Sequence, residues 1–221
     1  MPRIESFFLA GPAGRLECLL KHPAVLPPQG AAAVLCHPHP LFGGTMHNKV
    51  VHAAAEALAR LSLPVLRFNF RGVGGSGGTH DAGRGEQDDL VVVLDHLAER
   101  FPGHPLLAAG YSFGAHVALS VGCRDPRVAA LIGIGTPVGI ASFGFLKKCR
   151  KPLALIQGEE DRFGPLGMLL TLAAALPGGA QVLAIKGAGH GFAGHLDELA
   201  ARVAQAVPDD LRPPPVTRTS D

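Results

Sequence analysis

Three side chains far apart in the sequence carry the chemistry this chain can do: a serine at 112, a carboxylate at 161 and a histidine at 190. The serine sits in Leu106-Leu107-Ala108-Ala109-Gly110-Tyr111-Ser112-Phe113-Gly114-Ala115, an apolar run that enters a turn and leaves it as helix. Strand, sharp turn and helix with a serine at the turn is the pattern of a nucleophile elbow. Gly110 and Gly114 flank the serine because strand and helix must cross there with almost no side-chain volume between them. A serine hydroxyl attacks poorly until a neighbouring imidazole takes its proton. The imidazole in turn needs a carboxylate on its other ring nitrogen, to fix the tautomer and stabilise the imidazolium. Asp161, in Gly158-Glu159-Glu160-Asp161, and His190, in Gly187-Ala188-Gly189-His190-Gly191, fill those roles. Glu159 and Glu160 are rivals, but Asp161 lies furthest into its loop, where the chain turns back.

Such chemistry also needs two backbone N–H groups to hold an oxyanion. One is expected from Phe113, the residue after the nucleophile. The other is expected from His37-Pro38-His39-Pro40-Leu41. Pro38 and Pro40 have no N–H, which leaves His39 or Leu41, and His39 is nearer the end of the preceding strand.

A G-x-S-x-G string alone means little, because Gly74-Gly75-Ser76-Gly77-Gly78 matches it as well. No helix follows that match, so Ser76 reads as a loop serine. The same loop fits the dinucleotide fingerprint through Gly72, Gly74 and Gly77, but the next helix begins only near Glu86, which argues against nucleotide binding. His37 and His39 lack partners that would complete a metal set and read as structural. His116, one turn after Ser112, reads as a packed helix residue, and Lys147 to Lys151 as a solvated face.

The elements that must position these residues follow from the pattern of apolar runs. Two edge strands are expected at 4–10 and 15–21, then buried strands at 31–36, 64–70, 106–111, 128–134, 153–157 and 180–185. Helical spacing covers 48–61, 86–101, the stretch after Ser112, 166–176 and 196–207. Glu86, Asp88 and Asp89 place negative charge in a helix first turn, which the backbone dipole favours. Alternation of this kind predicts an α/β chain: a mostly parallel central sheet with helices on both faces. Ligands then sit beyond the carboxyl ends of the strands, where Ser112, Asp161 and His190 all fall. The order Ser, acid, His is that of the α/β-hydrolase arrangement. Residues 136–150 form a crossover too short for a cap domain. The domain is expected to close at 207, with 208–221 a polar, Pro-rich disordered tail.

With 221 residues, 47% hydrophobic and 17% charged, the chain is one globular domain. A net charge of +2 gives no reason to expect nucleic acid or an anionic membrane. The first residues lack a signal-peptide pattern and no apolar run is long enough to span a bilayer. Cys18, Cys36, Cys123 and Cys149 form no C-x-x-C pair, which points to reduced thiols and a cytoplasmic protein.

The chain resembles, from about Ile4 to Val207, the small capless α/β-hydrolases of the dienelactone-hydrolase-like group. The most specific string is His37-Pro38-His39-Pro40-Leu41-Phe42-Gly43-Gly44-Thr45-Met46-His47-Asn48-Lys49-Val50-Val51. Asn69 to Gly74, Gly110 to Ala115 and Gln157 to Asp161 add to it. The resemblance implies a triad of Ser112, Asp161 and His190 and carboxylic-ester hydrolysis without cofactor or metal. Dienelactone hydrolase itself has a cysteine where this chain has Ser112, so that reaction is not implied. Relatives usually carry Asp-His-Phe-Phe around the histidine; here Gly189-His190-Gly191-Phe192 is expected to loosen the loop and remove one pocket wall.

The reading is a serine esterase for a small ester with short acyl chains, in a shallow open pocket lined by Leu41, Phe42, Phe113, Phe143 and Phe192. Amide or peptide hydrolysis by the same triad, or a non-catalytic binding module, are the alternatives.

Overall fold

A computed structural model describes residues 3–27 and 29–214. Eight strands form one sheet in the order β1-β2-β4-β3-β5-β6-β7-β8. They are β1 (Ile4–Gly11), β2 (Gly14–Lys21), β3 (Ala32–Cys36), β4 (Val65–Phe68), β5 (Leu106–Tyr111), β6 (Val128–Ile134), β7 (Leu153–Gly158) and β8 (Gln181–Ile185). β1, β2 and β4 pair antiparallel, and every pairing from β4 through β3 to β8 is parallel. Five helices cover the faces: α1 (Lys49–Arg60), α2 (Gly85–Arg100), α3 (Phe113–Arg124), α4 (Leu166–Ala174) and α5 (Leu196–Ala206).

Strand alternation sends side chains to two cores. Ala32, Val34 and Cys36 of β3 point to the side that holds α2, α3 and α4. Ala31, Ala33 and Leu35 point to the side of α1 and α5. All of β3 and β5 is buried, as expected for parallel strands covered on both faces. No helix of the described residues is long and apolar enough to cross a membrane.

Three expectations need correction. The strand expected over 64–70 ends at Phe68. Beyond it the Phe70 N–H leaves the ladder and donates to His37 Nε2 at 3.0 Å, so a side chain takes over from a strand. Asp89 does not serve the helix dipole; it lies fully buried in α2, where Arg71 Nη2 reaches its Oδ1 at 2.7 Å and Arg71 Nε its Oδ2 at 3.0 Å.

The third correction concerns the chain beyond 207, which is folded as far as Pro214. Asp209–Leu211 makes a 3-10 turn, Leu211 is buried, and its carbonyl accepts from Ala31 N at 2.9 Å. Arg212 donates to Val207 O at 2.9 Å and to Ala204 O at 3.0 Å, closing the end of α5. Seven apolar and charged residues thus belong to the domain because they satisfy exposed carbonyls and cover the start of β3. The remainder of the expected tail, 215–221, lies outside the described residues.

Candidate active site

The elbow is built by its glycines and held by a neighbouring strand. Ser112 sits at φ 56° and ψ −118°, a region costly for a residue with a side chain. Its N–H donates to Ile134 O at 2.9 Å, which ties the turn to the end of β6. A Cβ on Gly110 would collide with Gly114 O, and a Cβ on Gly114 would collide with the carbonyls of Cys36 and His37. Gly114 therefore does two things: it lets strand and helix cross, and it brings the loop after β3 against the start of α3.

That loop is shaped by His37. The ring is fully buried, its Nδ1 donates to Pro38 O at 2.6 Å, and its Nε2 accepts from Phe70 N. Burial pushes its pKa down to about 4, partly offset by the Pro38 carbonyl. A histidine neutral in the fold and titrating near 6.5 when unfolded binds fewer protons folded than unfolded across that window. Its stabilising contribution is complete above pH 6.5 and is lost as pH falls towards about 4. We expect His37→Gln to flatten the loss of stability between those pH values by about 3 kcal/mol, read from urea midpoints across pH. An unchanged slope would contradict the neutral assignment.

His39 follows on the same loop. Its Nδ1 accepts from Leu41 N at 3.2 Å, so its own proton sits on Nε2. The ring packs 4.9 Å from Phe113, 4.8 Å from Phe42 and 4.8 Å from His80. Leu41 N–H is thereby engaged, while His39 N–H and Phe113 N–H have no protein acceptor among the described residues.

Ser112, His190 and Asp161 come together from loops after β5, β8 and β7. His190 Nε2 lies 2.9 Å from Ser112 Oγ, and His190 Nδ1 lies 2.7 Å from Asp161 Oδ2. Glu159 and Glu160 are exposed and Asp161 is buried, so only Asp161 faces the imidazole. The two loops are stitched by Glu159 N to Ile185 O and Glu160 N to Ala188 O. Gly158 makes that approach possible, since a Cβ there would meet Ala188 O. Tyr111 steadies the histidine from below: its hydroxyl donates to His190 O at 2.9 Å, and burial raises its pKa to about 12.

Gln157 was not singled out from sequence, yet it organises the carboxylate. It is fully buried, its Nε2 donates to Asp161 Oδ2 at 2.7 Å and to Gly164 O at 2.8 Å, and its Oε1 accepts from Thr136 N at 2.8 Å. Phe163 N and Gly164 N donate to Asp161 Oδ1 at 2.9 and 3.2 Å. Its signals in the sequence were a polar residue near the end of an apolar strand, four residues before the acid, and its place at the head of the Gln157–Asp161 string.

A cavity of about 700 Å³ opens over Ser112. Pro38, Phe42, Phe113, Pro137, Ile140 and Phe163 form its apolar walls, with His39, Asn48 and Tyr111 among the polar ones. Phe42 and Ile140 stand 85% and 71% exposed at its rim. Leu41 is exposed but does not line the cavity. Phe143 and Phe192, expected in the pocket, are both in the core. Phe143 packs under His116, which also approaches Ser142 O at 3.2 Å, and Phe192 packs on the edge of Tyr111. Phe163, which lies 4.8 Å from the His190 ring, supplies the wall assigned to Phe192. A Cβ on Gly189 or Gly191 would meet nothing within 4 Å, so the space beside His190 is open. Ser76 is structural: its hydroxyl donates to Asn69 O and accepts from Glu17 N.

The fold agrees with that of known proteins. Residues 29–153 match the family model described as serine aminopeptidase, S33. Protein RP471 of Rickettsia prowazekii is 39% identical over 165 residues, covering 73% of this chain and 67% of its own. An α/β serine hydrolase homologue from Coxiella burnetii superposes with a TM-score of 0.87 at 36% identity, over 92% of this chain and 97% of that one. XC6422 from Xanthomonas campestris, an α/β serine hydrolase without a lid, gives 0.85 at 33% identity over 93% and 94%. This chain belongs to the serine aminopeptidase S33 family and is a small capless α/β-hydrolase.

Proposed function

We propose that this protein is a serine carboxylesterase that cleaves small uncharged esters with short acyl chains through an acyl-enzyme. The observation that carries the reading is the unbroken relay from Ser112 Oγ through His190 to the buried Asp161, at 2.9 and 2.7 Å. Ser112 attacks the ester carbonyl as His190 Nε2 takes its proton. Asp161 holds the Nδ1 proton and stabilises the imidazolium. The Phe113 and His39 N–H groups, which have no protein acceptor among the described residues, receive the oxyanion. His190 returns the proton to the leaving alcohol, and water activated by the same histidine releases the acid.

No metal or cofactor takes part in these steps. The partner is the small-molecule ester alone, with neither nucleic acid nor membrane. Four free cysteines support a cytoplasmic placement.

The family's description makes aminopeptidase action the second reading. A carboxylate at the pocket wall is the strongest partner for a free α-ammonium, and the lining holds no Asp or Glu among the described residues. Ester hydrolysis is therefore favoured. Comparison of p-nitrophenyl acyl esters of increasing length with alanine p-nitroanilide tests it: we expect turnover of the short esters and little of the anilide. Faster cleavage of the anilide than of the matched alanyl ester would replace the reading with amide hydrolysis, and an optimum on long chains would remove the short-acyl claim. Absence of both turnover and phosphonate labelling would leave a binding module.

A further inference from the structure

The hydrogen-bonding capacity of the pocket is lopsided. Its lining contains no Lys, Arg, Asp or Glu among the described residues. Of its polar side chains, Tyr111 gives its proton to His190 O, and both His190 nitrogens are engaged in the relay. His39 Nδ1 is taken by Leu41 N, which leaves a proton donor at Nε2. Beside the Ser112 hydroxyl, which lies against His190 Nε2, Asn48 is the remaining polar side chain. Its Oδ1 accepts from Val50 N at 2.9 Å as the cap of α1, while its Nδ2 amide carries two protons with no protein acceptor among the described residues. The free side-chain capacity is thus mostly donor, set in a wall of proline, phenylalanine and isoleucine.

From this balance we infer that the pocket selects uncharged esters carrying a second oxygen acceptor, an ether or carbonyl, and that Asn48 Nδ2 is the donor that reads it. This rests on the ester-hydrolysis reading and adds to it the substrate class and a specificity-determining residue. An apolar chain without the oxygen fits the walls but gives the amide no partner. A terminal ammonium finds no carboxylate and a terminal carboxylate finds no cation, and burying either without a counter-charge is unfavourable. An amine or hydroxyl donor meets few free acceptors.

The test separates this claim from the esterase reading by using inactivation, which needs the nucleophile but not ester turnover. Ethyl p-nitrophenyl alkylphosphonates of one chain length are prepared with a terminal methyl, methoxy, carboxylate or ammonium group. A second set carries the same ends on the alkoxy arm. Inactivation rates are followed by p-nitrophenol release, and the site of attachment by mass spectrometry.

In wild-type protein the methoxy member is expected to react about threefold to tenfold faster than the methyl member in one arm, the worth of one hydrogen bond. The charged members are expected to be about tenfold slower than methyl, or worse. Asn48→Asp keeps a residue that caps α1 as well as Asn does, but removes the donor and adds a negative charge. Ratios within that variant cancel any loss of folded protein. The methoxy preference is expected to vanish and the ammonium member to rise relative to methyl.

A charged member fastest in wild type, or a methoxy preference that survives Asn48→Asp, overturns the inference. So does the absence of any methoxy preference in both arms. Labelling of Ser112 with the expected order, in a protein that turns over no carboxylic ester, supports the inference and overturns only the esterase reading. If no phosphonate labels Ser112, both fall.

Discussion

Ser112→Ala is expected to lower kcat on a p-nitrophenyl ester by about ten-thousandfold to a millionfold, with KM little changed. In the proposed mechanism the hydroxyl forms the bond to the acyl carbon, and among the described residues the partner of His190 Nε2 is Ser112 Oγ at 2.9 Å. The substrate still meets the same walls, because the substitution removes one oxygen and no lining volume. Alanine at φ 56° is no worse placed than serine, so folding is not the expected casualty. Any residual rate above water would come from the backbone donors and from binding alone. A variant within tenfold of wild type would show that another group attacks, and the reading of the whole site would fail with it.

Asp161→Asn is expected to cost about ten-thousandfold in kcat, for a reason that lies in hydrogen counting. Oδ2 now accepts from His190 Nδ1 and from Gln157 Nε2, and Oδ1 accepts from Phe163 N and Gly164 N. All four partners donate, which suits an ionised carboxylate. An asparagine must place an NH2 against two of them. If the NH2 faces His190 it favours the tautomer with the proton on Nε2, which cannot take one from Ser112. If it faces Phe163 and Gly164, two backbone donors lose their acceptor in a buried loop, at about 1–3 kcal/mol each. Kinetics and a melting curve on the same sample read the outcome: the first orientation also sets the NH2 against Gln157 Nε2, so either one leaves a buried donor unpaired, and kcat and melting temperature fall together. Near-wild-type kcat would mean that the acid is elsewhere.

The fold was legible because its signals are local and repeated. Eight apolar runs with turn residues between them gave eight strands within about two residues at each end, and five helical periods gave five helices. The triad was legible because each member follows such a run, and the elbow glycines have no other reason to flank a serine. What escaped depended on partners remote in sequence. Arg71 and Asp89 look like ordinary loop and helix-start charges until a turn brings them together. Gln157 looks like the polar end of a strand, and its role appears only when Asp161 and Thr136 surround it. Phe143 and Phe192 were as plausible for the pocket as Phe42 and Phe163, since composition does not say which side of a loop faces the cavity. The stretch after Val207 misled by its prolines: its few anchoring groups, Leu211 and Arg212, outweigh a disordered-looking composition.

The placement of β8 has a consequence for how this protein fails. β5, which carries the nucleophile, is buried between β3 and β6. β8, which precedes the loop of His190, is an edge strand with β7 as its one hydrogen-bonding neighbour in the sheet, packed by α4 and α5 and partly open to solvent along its length. Local opening draws on the least buried elements first. A molecule that frays at this edge therefore loses His190 while Ser112 stays in its strained turn, and activity disappears from a chain that is still almost wholly folded.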